Sequence, residues 1–378
     1  MKPVLLLTGS RQVGKTSLLQ RVFADYNYVS LDLPSVAEEA EEAGERFLEK
    51  YPPPVIIDEV QYAPKLFRYI KARVDRQRNR GGQFLLTGSQ KLSLMPHLTE
   101  SLAGRVTVLD LHSLSLRELE GYGGEPTTRD LLLQRLFYGG YPEVYSRGIA
   151  PPRFFADYVA TYLERDVRQV LQVRNLRDFD RFLRLAAVRT GQMLSLSSFA
   201  SDLGMSPNTV KNWLSVLEAS GIICLLPPFY RNLGKRIVKT PKLYFLDTGL
   251  ACFLAGFRSV EEVQRTELLG ALYETLVLGQ IRRFFANRGD EVPLYFFRDH
   301  HGHEVDFVYA IGEKLALFEG KWSETAPQRV KGFEVVREAV GEKNILSQLV
   351  ILPTRGSGGA RGDFAVADCV EPIPRELR

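Results

Sequence analysis

The chain has 378 residues, of which 45% are hydrophobic and 25% are charged, which is enough for two or three domains with their own cores and excludes a disordered tail protein. Its formal net charge is +4, and apolar runs such as Val4 to Leu7 and Ile222 to Leu226 are far shorter than a bilayer span. The sequence shows no secretory signal, and its three cysteines lack the spacing of a disulfide framework or zinc site. We therefore expect a cytoplasmic protein with no membrane partner.

The charge is distributed unevenly along the chain. Residues 1–145 carry 18 basic and 18 acidic side chains, residues 146–260 carry 16 and 8, and residues 261–378 carry 15 and 19. A basic middle segment between less basic neighbours is the pattern expected for contact with a polyanion, although local excesses of this kind also occur as solubility charge. The middle segment is therefore the first place to look for a nucleic-acid contact.

The N-terminal segment begins with a phosphate-binding pattern. An apolar run, Pro3 to Thr8, leads into a loop that matches GxxxxGK[ST] at every fixed position, and the amphipathic stretch Ser17 to Phe23 follows. We expect the loop amides to bind the phosphates of ATP, Lys15 to reach the β and γ phosphates, and the Thr16 hydroxyl to ligate Mg²⁺. The predicted nucleotide-binding residues are Gly9, Ser10, Arg11, Gln12, Val13, Gly14, Lys15, Thr16, Ser17 and Asp58. The structural alternative is a glycine turn before a core helix.

A second apolar strand ends in two acidic residues. Val55 to Ile57 is followed by Asp58 and Glu59, the pattern of a Walker B strand. Asp58 would hold Mg²⁺ through a coordinated water, while Glu59 would orient the water that attacks the γ-phosphate. An apolar run ending in two acids is common by itself, and the phosphate loop upstream favours the functional interpretation.

A third apolar strand, Phe84 to Leu86, ends in Thr87, Gly88 and Ser89. Ligands of open parallel sheets bind at the carboxyl ends of the strands, so Ser89 or Thr87 is a candidate sensor of the γ-phosphate, with a plain turn as the alternative. With Tyr28 to Leu33 and Val106 to Leu111, about five strands alternate with helices. This alternation predicts a doubly wound α/β domain with a parallel sheet.

Two basic features of this segment have open roles. The helical pattern from Phe67 to Arg80 either contacts DNA or a neighbouring subunit, or forms a soluble helix face. Arg105 is the candidate arginine finger that neutralises charge on the transferring phosphoryl group, with a structural salt bridge as the alternative and Arg165 as the second candidate.

The basic middle predicts a helix-turn-helix. Leu196 to Leu203 ends at Gly204, and Ser206 with Pro207 starts a second helix. That helix should bury Val210, Leu214 and Leu217 and leave polar side chains for phosphates and base edges: Asn208, Thr209, Lys211, Asn212 and Ser215. The strands Ile222 to Leu226 and Leu243 to Leu246 would form a wing, with these basic residues between or beside them: Arg231, Lys235, Arg236, Lys239 and Lys242. DNA binding is the expected role, and protein docking or oligomerisation is the alternative.

The C-terminal segment carries acids in the order of a metal nuclease. A predicted helix contains Glu274, a strand contains Asp306, and the next strand contains Glu319 and Lys321. The three carboxylates could bind Mg²⁺ and the lysine could position the nucleophilic water. The alternative is a nuclease-like scaffold without activity.

These motifs together resemble prokaryotic AAA-type P-loop ATPases that carry a C-terminal domain of unknown function. The residues that carry the resemblance include Gly9 to Thr16, Val55 to Gln61, Gly139 to Pro142, Lys242 to Leu250, and Glu304 to Phe307 with Glu319 to Lys321. The resemblance covers essentially the whole chain. It implies an ATPase domain at 1–145, a helical and winged helix-turn-helix domain at 146–260, a PD-(D/E)xK nuclease-like α/β domain at 261–378, and ring-shaped homo-oligomers. Gly320 departs from the usual bulkier apolar residue, which weakens the case for nuclease activity.

The sequence therefore predicts an oligomeric, Mg²⁺-dependent ATP hydrolase that couples its nucleotide state to DNA binding or remodelling. Two alternatives stay open at this point. One is an ATP-gated nuclease that cuts DNA through the C-terminal carboxylates. The other is a nucleotide switch that binds a protein partner and turns over slowly.

Overall fold

A computed structural model describes residues 2–89, 101–163, 176–229, 240–290, 293–353, 359–361 and 363–373. The chain divides into two compact units, one formed by Met1–His112 with Ala219–Gly221 and the other by Ser113–Glu218 with Ile222–Arg378. The predicted boundaries at residues 145 and 260 are a finer division and stay a prediction; residues 113–145 group with the second unit. Across the described residues, every helix is too short or too polar to cross a bilayer.

The first unit is a five-stranded parallel sheet with helices between its strands. Its strands are β1 (Val4–Thr8), β2 (Asn27–Ser30), β3 (Val55–Asp58), β4 (Phe84–Thr87) and β5 (Val106–Asp110). Its helices are α1 (Lys15–Val22), α2 (Pro34–Glu42), α3 (Gly44–Lys50) and α4 (Leu66–Arg76), with a 3₁₀ turn at Val60–Tyr62. The sheet order is β2-β3-β4-β1-β5, and all four neighbouring pairs are parallel. This confirms the predicted parallel α/β sheet.

Both faces of this sheet are covered, which explains why its strands read as apolar runs. Val4 and Leu6 of β1 belong to one buried cluster, whereas Leu5 and Leu7 belong to another that includes Leu19 of α1. Because successive side chains of a strand point to opposite faces, a strand covered on both faces needs apolar residues at every position. In β1, β3 and β4, polar residues appear only where the strand ends, at Thr8, Asp58 and Thr87.

The second unit combines two sheets with most of the helices. Its strands are β6 (Gln192–Met193), β7 (Ile223–Leu226), β8 (Lys242–Phe245), β9 (Leu294–Arg298), β10 (Glu304–Ile311), β11 (Lys314–Gly320), β12 (Ile345–Leu352), β13 (Gly359–Arg361) and β14 (Phe364–Asp368). Its α-helices are α5 (Leu116–Gly123), α6 (Arg129–Tyr138), α7 (Pro142–Ser146), α8 (Pro151–Tyr158), α9 (Leu176–Val188), α10 (Leu196–Leu203), α11 (Pro207–Ala219), α12 (Thr248–Leu254), α13 (Val260–Arg265), α14 (Leu269–Ala286) and α15 (Lys331–Val340). A π-helical turn lies at Val159–Leu163 and a 3₁₀ turn at Glu342–Asn344. The sheets have the orders β6-β8-β7 and β13-β14-β12-β11-β10-β9.

The two helices predicted in the basic middle form at the predicted residues. Gly204 ends α10 with a φ of 68°, and Ser206 accepts the backbone N–H of Thr209 at 3.1 Å at the start of α11. On α11 the apolar residues Val210 and Leu214 are buried, and the opposite face is polar. The antiparallel strands β7 and β8 follow, with Leu226 paired to Lys242.

A buried polar network joins distant segments of the second unit. The Asp247 carboxylate caps α12 by accepting the N–H groups of Gly249 (3.0 Å) and Leu250 (3.2 Å). It also accepts the N–H of Gly140 at 2.8 Å and the Ser113 hydroxyl at 2.9 Å. A Cβ on Gly249 would lie 2.7 Å from the Gly139 nitrogen, so the two glycine-containing motifs pack at backbone contact.

Arg283 extends this network from α14. Its guanidinium is buried and donates to the Ser113 carbonyl at 2.7 Å and to the Leu246 carbonyl at 3.1 Å. Burial lowers the pKa of Arg283, while the Asp247 carboxylate acts in the opposite direction. The network therefore ties β8 and α14 to the start of the second unit.

We expect Asp247→Ala to lower the free energy of unfolding by about 3 kcal/mol, because it removes a helix cap and leaves buried donors without an acceptor. The matched control is Ser259→Ala, which removes the exposed cap of α13, a bond to the Glu262 N–H at 3.3 Å, and should cost about 1 kcal/mol. Urea unfolding followed by circular dichroism measures both. Equal losses in the two variants would contradict a central role for Asp247.

Candidate functional site: the strand ends of the first unit

The glycine loop between β1 and α1 has the backbone that a phosphate cradle needs. Gly9 has a φ of 140°, and a Cβ there would lie 2.1 Å from the Leu111 carbonyl oxygen, so only glycine fits. Gln12 and Gly14 have φ values of 61° and 93°. Backbone turns that alternate between right- and left-handed conformations form anion-binding nests, and Lys15 then begins α1.

Lys15 reaches back over this loop. Its ammonium donates to the Gly9 carbonyl at 3.0 Å and to the Ser10 carbonyl at 2.8 Å, and the residue is 6% exposed. The side chain thus holds its positive charge against the loop that is predicted to receive phosphate.

The strand order brings the remaining predicted residues to the same edge. Strand β4 lies between β1 and β3, so the carboxyl ends of these three strands are neighbours. At that edge, the buried Asp58 carboxylate accepts the Thr16 hydroxyl at 2.8 Å and the Thr87 hydroxyl. The Thr16 hydroxyl next to the glycine loop and the Walker B carboxylate of Asp58 are therefore side by side.

Glu59 follows Asp58 in a left-handed conformation, with φ 56° and ψ 47°. Such a conformation is uncommon for a residue other than glycine and is concentrated at functional sites. The Glu59 N–H donates to the Thr87 hydroxyl at 3.1 Å, and its carboxylate accepts the Gln61 amide and, at 3.3 Å, the Ser89 hydroxyl. Thus both hydroxyls predicted at the end of β4 contact the acidic pair.

Tyr28 and Gln61 complete the site, and the sequence analysis did not single them out. The Tyr28 hydroxyl donates to Asp58 at 3.2 Å. Burial and the Asp58 charge raise the pKa of Tyr28 to about 12, so it stays a donor at neutral pH. The contact depends on the register of β2 on β3, which pairs Tyr28 with Ile56, two residues before Asp58, and the sequence carries no signal for that register.

The residues at this edge fit a magnesium nucleotide. Mg²⁺ prefers oxygen ligands such as carboxylates and hydroxyls, and the Thr16 and Asp58 oxygens lie 2.8 Å apart. The ammonium of Lys15 and the glycine loop supply the positive surroundings that phosphates require. Thr16 and Asp58 would hold the ion, as the sequence predicts.

Arg105 has a partner within the first unit. Its guanidinium forms a two-point ion pair with Asp75, with Nε to Oδ1 at 2.6 Å and Nη2 to Oδ2 at 2.9 Å. This is the arrangement that the structural salt-bridge alternative describes, and an arginine-finger role would require the pair to open. The second candidate, Arg165, lies outside the described residues.

The C-terminal candidates are gathered in the second unit. Strands β10 and β11 are antiparallel, and the Gly320 N–H donates to the Asp306 carboxylate at 3.0 Å while the Asp306 N–H donates to Glu319 at 3.3 Å. Lys321 pairs with Glu319 at 2.7 Å. Carboxylate oxygens of Glu274, Glu304 and Asp306 lie within 4.8 Å of one another.

Lys242 is placed differently from the expectation that it is a basic wing residue. It is 2% exposed, its ammonium pairs with Glu274 at 2.8 Å and with Glu304, and it lies 4.0 Å from Asp306. The Tyr244 hydroxyl also donates to Glu274. The sequence analysis missed Lys242, Tyr244 and Glu304 as members of this cluster.

Burial and neighbouring charges shift the protonation of the cluster. Burial, with the charges of Glu274 and Glu319, raises the pKa of Asp306 well above its usual range. Burial also raises the pKa of Glu319, although Lys321 acts against it. For Lys242, burial acts to lower the pKa, but the three carboxylates outweigh it and raise it.

The polar face of α11 is as predicted. Asn208, Lys211, Asn212 and Ser215 are exposed and Thr209 is half-buried. The basic residues between β7 and β8, at positions 231, 235, 236 and 239, lie outside the described residues.

Comparison with known proteins assigns the family. A model described as an AAA domain matches residues 1–120, and two models described as domains of unknown function, DUF8612 and DUF4143, match residues 129–261 and 269–364. The uncharacterized proteins Rv2008c of Mycobacterium tuberculosis and Mb2031c of Mycobacterium bovis are each 31% identical over 326 residues, which cover 85% of this chain and 71% of theirs. The chain belongs to the AAA ATPase family.

A solved structure of a RuvB variant from Thermotoga maritima is also similar to this AAA ATPase. It is 17% identical, with a TM-score of 0.31, over 60% of this chain and 83% of its own. At that score the similarity bears on neither the fold nor the function of this AAA ATPase.

We expect Asp306→Asn to raise the stability of this AAA ATPase at pH 7 in divalent-free buffer, because burial and the neighbouring acids raise the pKa of the Asp306 carboxyl in the folded state. A carboxyl with a raised pKa in the folded state makes the protein lose stability as the pH rises from about 4, the unfolded value, to the folded pKa. The amide avoids that loss, so the gain should shrink towards pH 4. Thermal unfolding across this range measures it.

The matched control is Asp299→Asn. Burial acts to raise the pKa of Asp299, but His303 and the N–H groups of His301 and His303 outweigh it and lower the pKa. The charged carboxylate therefore adds stability above about pH 4, and its removal should destabilise the protein at pH 7. A destabilised Asp306→Asn variant would show that the ionised carboxylate is favourable in the fold.

Proposed function

We propose that this AAA ATPase binds ATP with Mg²⁺ at residues 9–17 and Asp58, hydrolyses it to ADP and phosphate, and couples its nucleotide state to DNA as a homo-oligomer. The observation that carries the nucleotide chemistry is the contact between the Thr16 hydroxyl and the Asp58 carboxylate. It brings together two predicted magnesium ligands that are 42 positions apart in the sequence.

Each residue at the strand ends has a separate task in the proposed hydrolysis. The ammonium of Lys15 exchanges the loop carbonyls for the β and γ phosphate oxygens, which are better partners for a cation. Bound Mg²⁺ would neutralise charge on the phosphates. The Glu59 carboxylate accepts a hydrogen bond from the attacking water and orients it towards phosphorus.

The contacts of Glu59 support this role. The Gln61 amide and the Ser89 hydroxyl both contact its Oε2 atom, so the carboxylate is fixed from β4 and from the turn after β3. A base fixed by its neighbours loses less entropy when it orients a water than a free side chain would. Ser89 then links the carboxylate to the end of β4, where we place the γ-phosphate.

The proposed DNA contact rests on α10 and α11, which we assign to a winged helix-turn-helix with β7 and β8 as its wing. The exposed face of α11 carries Asn208, Lys211 and Asn212, side chains that hydrogen-bond to phosphates and base edges. The segment 146–260 also has twice as many basic as acidic residues. Together they favour DNA over a protein partner.

The oligomer part of the proposal concerns the arginine that the reaction requires. Within its own subunit Arg105 is paired with Asp75. This pairing favours a reaction in which the arginine that contacts the γ-phosphate comes from a neighbouring subunit of a ring. Residues 261–378 are proposed to form a nuclease-like α/β domain that is not the catalytic centre.

We expect ATP turnover with Mg²⁺ to fall by at least about 100-fold in Lys15→Ala, because the variant loses the charge that contacts the transferring phosphoryl group. Lys50→Ala is the matched control, since Lys50 is an exposed lysine of the same unit, paired with Glu39, and should leave turnover within about twofold. Phosphate release measures both. Equal turnover in the two variants would overturn the assignment of the site.

The same assay, run with single-stranded, duplex and branched DNA and followed by a gel of that DNA, separates the proposed coupling from its alternatives. Faster turnover with intact DNA supports coupling. ATP turnover that is the same with and without each DNA favours the protein-partner switch. Cut DNA on the gel favours the nuclease.

We expect the triple variant Asn208→Ala/Lys211→Ala/Asn212→Ala to lose DNA stimulation and to bind DNA about tenfold or more weakly, while its turnover without DNA is unchanged. Lys331→Ala, an exposed lysine on α15, is the control and should bind DNA as the wild type does. Fluorescence anisotropy with labelled duplex measures affinity. Unchanged affinity in the triple variant would remove α11 from the DNA contact.

A further inference from the structure

Lys242 lies inside the cluster formed by Glu274, Glu304 and Asp306, two of which, Glu274 and Asp306, the sequence predicts as metal ligands. Its side chain is 3% exposed, compared with 16% for Glu274, 23% for Glu304 and 8% for Asp306. The ammonium pairs with Glu274 at 2.8 Å and with Glu304, and it faces Asp306 at 4.0 Å. One cation is therefore shared by three carboxylates from α14 and β10.

The size of the cluster suits a single small cation. The three carboxylate oxygens lie within 4.8 Å of one another, and a divalent ion with ligands at about 2.0 to 2.6 Å would occupy the space between such oxygens. The ammonium of Lys242 contacts two of the same residues from that space. A metal ion could enter only if the ammonium left, because two cations at one centre repel each other.

The lysine is held so that it does not leave easily. Strand β8, which carries Lys242, lies between β6 and β7, and the Lys242 backbone is in register with Met193 and Leu226. The ammonium also lies 5.9 Å from the Tyr244 ring centroid and 5.7 Å from that of Phe296, within reach of cation–π attraction. A swing into water would give up these contacts.

The remaining acid of the predicted metal set, Glu319, has its own cation. Glu319 pairs with Lys321 at 2.7 Å, so its charge is also matched by a lysine. Arg298, whose side chain is 40% exposed, pairs with Glu304 at 2.8 Å. Three cationic side chains of this chain, Lys242, Lys321 and Arg298, thus face the four acids.

We propose that Lys242 is a built-in cation that occupies the place of a divalent metal ion between Glu274, Glu304 and Asp306. The cluster is then a metal-independent junction between β8, α14 and β10, and the nuclease alternative has no open metal position there. Removal of the lysine charge converts the cluster into a site for a divalent cation. This inference concerns the C-terminal carboxylates and is independent of the proposed ATPase activity.

The test is Mn²⁺ binding to the nucleotide-free full-length chain, measured by titration calorimetry. Five proteins are compared: the wild type, Lys242→Met, Asp306→Asn, Lys242→Met/Asp306→Asn and the control Lys331→Met. We expect Lys242→Met to gain one site about tenfold or more tighter than any in the wild type, and the added Asp306→Asn to remove it. The control should bind as the wild type does, because its lysine is exposed on α15. Any binding at the phosphate loop is common to all five proteins and cancels.

Two results would overturn the proposal. One is a wild-type Mn²⁺ site that Asp306→Asn alone removes, since the ammonium would then not exclude the metal. The other is a Lys242→Met variant with wild-type circular dichroism and a cooperative unfolding transition that gains no site. If Lys242→Met does not fold, the comparison of wild type with Asp306→Asn still decides: equal Mn²⁺ binding supports the built-in cation.

Discussion

The first unit depends on how the buried Asp58 carboxylate is satisfied. An ionised carboxylate removed from water needs donors or a cation, and Asp58 receives hydroxyls from Thr16 at the start of α1, from Thr87 at the end of β4 and from Tyr28 on β2. Three elements are thereby held at one point. Since β4 lies between β1 and β3, the distance between loop and acid is fixed by one intervening strand, and the site is built on rigid strand ends.

The residues proposed to bind the nucleotide were predictable because they lie in short, local sequence patterns. The glycine loop has fixed spacing, and strands buried on both faces are apolar until the residue where they end, which marks Asp58 and Ser89. Tyr28 was not predictable, because its contact with Asp58 depends on which residue of β3 it pairs with. The left-handed backbone of Glu59 has no signature in the side-chain sequence either.

Electrostatic partners were the least predictable feature, for a physical reason. A count of basic residues treats every lysine and arginine as free to meet an external anion. Lys242 instead forms an ion pair with Glu274, which is 32 residues away. Arg105 forms one with Asp75, which is 30 residues away. Such pairs form through tertiary contacts, so the number of charges in the middle segment can be counted from the sequence, but the number that face solvent cannot.

The position of Lys242 also bears on how this chain can be divided. The lysine lies in the region 129–261 that one family model matches, whereas Glu274, Glu304 and Asp306 lie in the region 269–364 that another matches. A fragment that starts at residue 269 would keep three close carboxylates and lose the ammonium that they share, and the loss of one partner of a buried ion pair is strongly destabilising. The two regions therefore depend on each other electrostatically. If either region were replaced by its counterpart from another protein, the replacement would need a charge opposite to that of the cluster residues that remain.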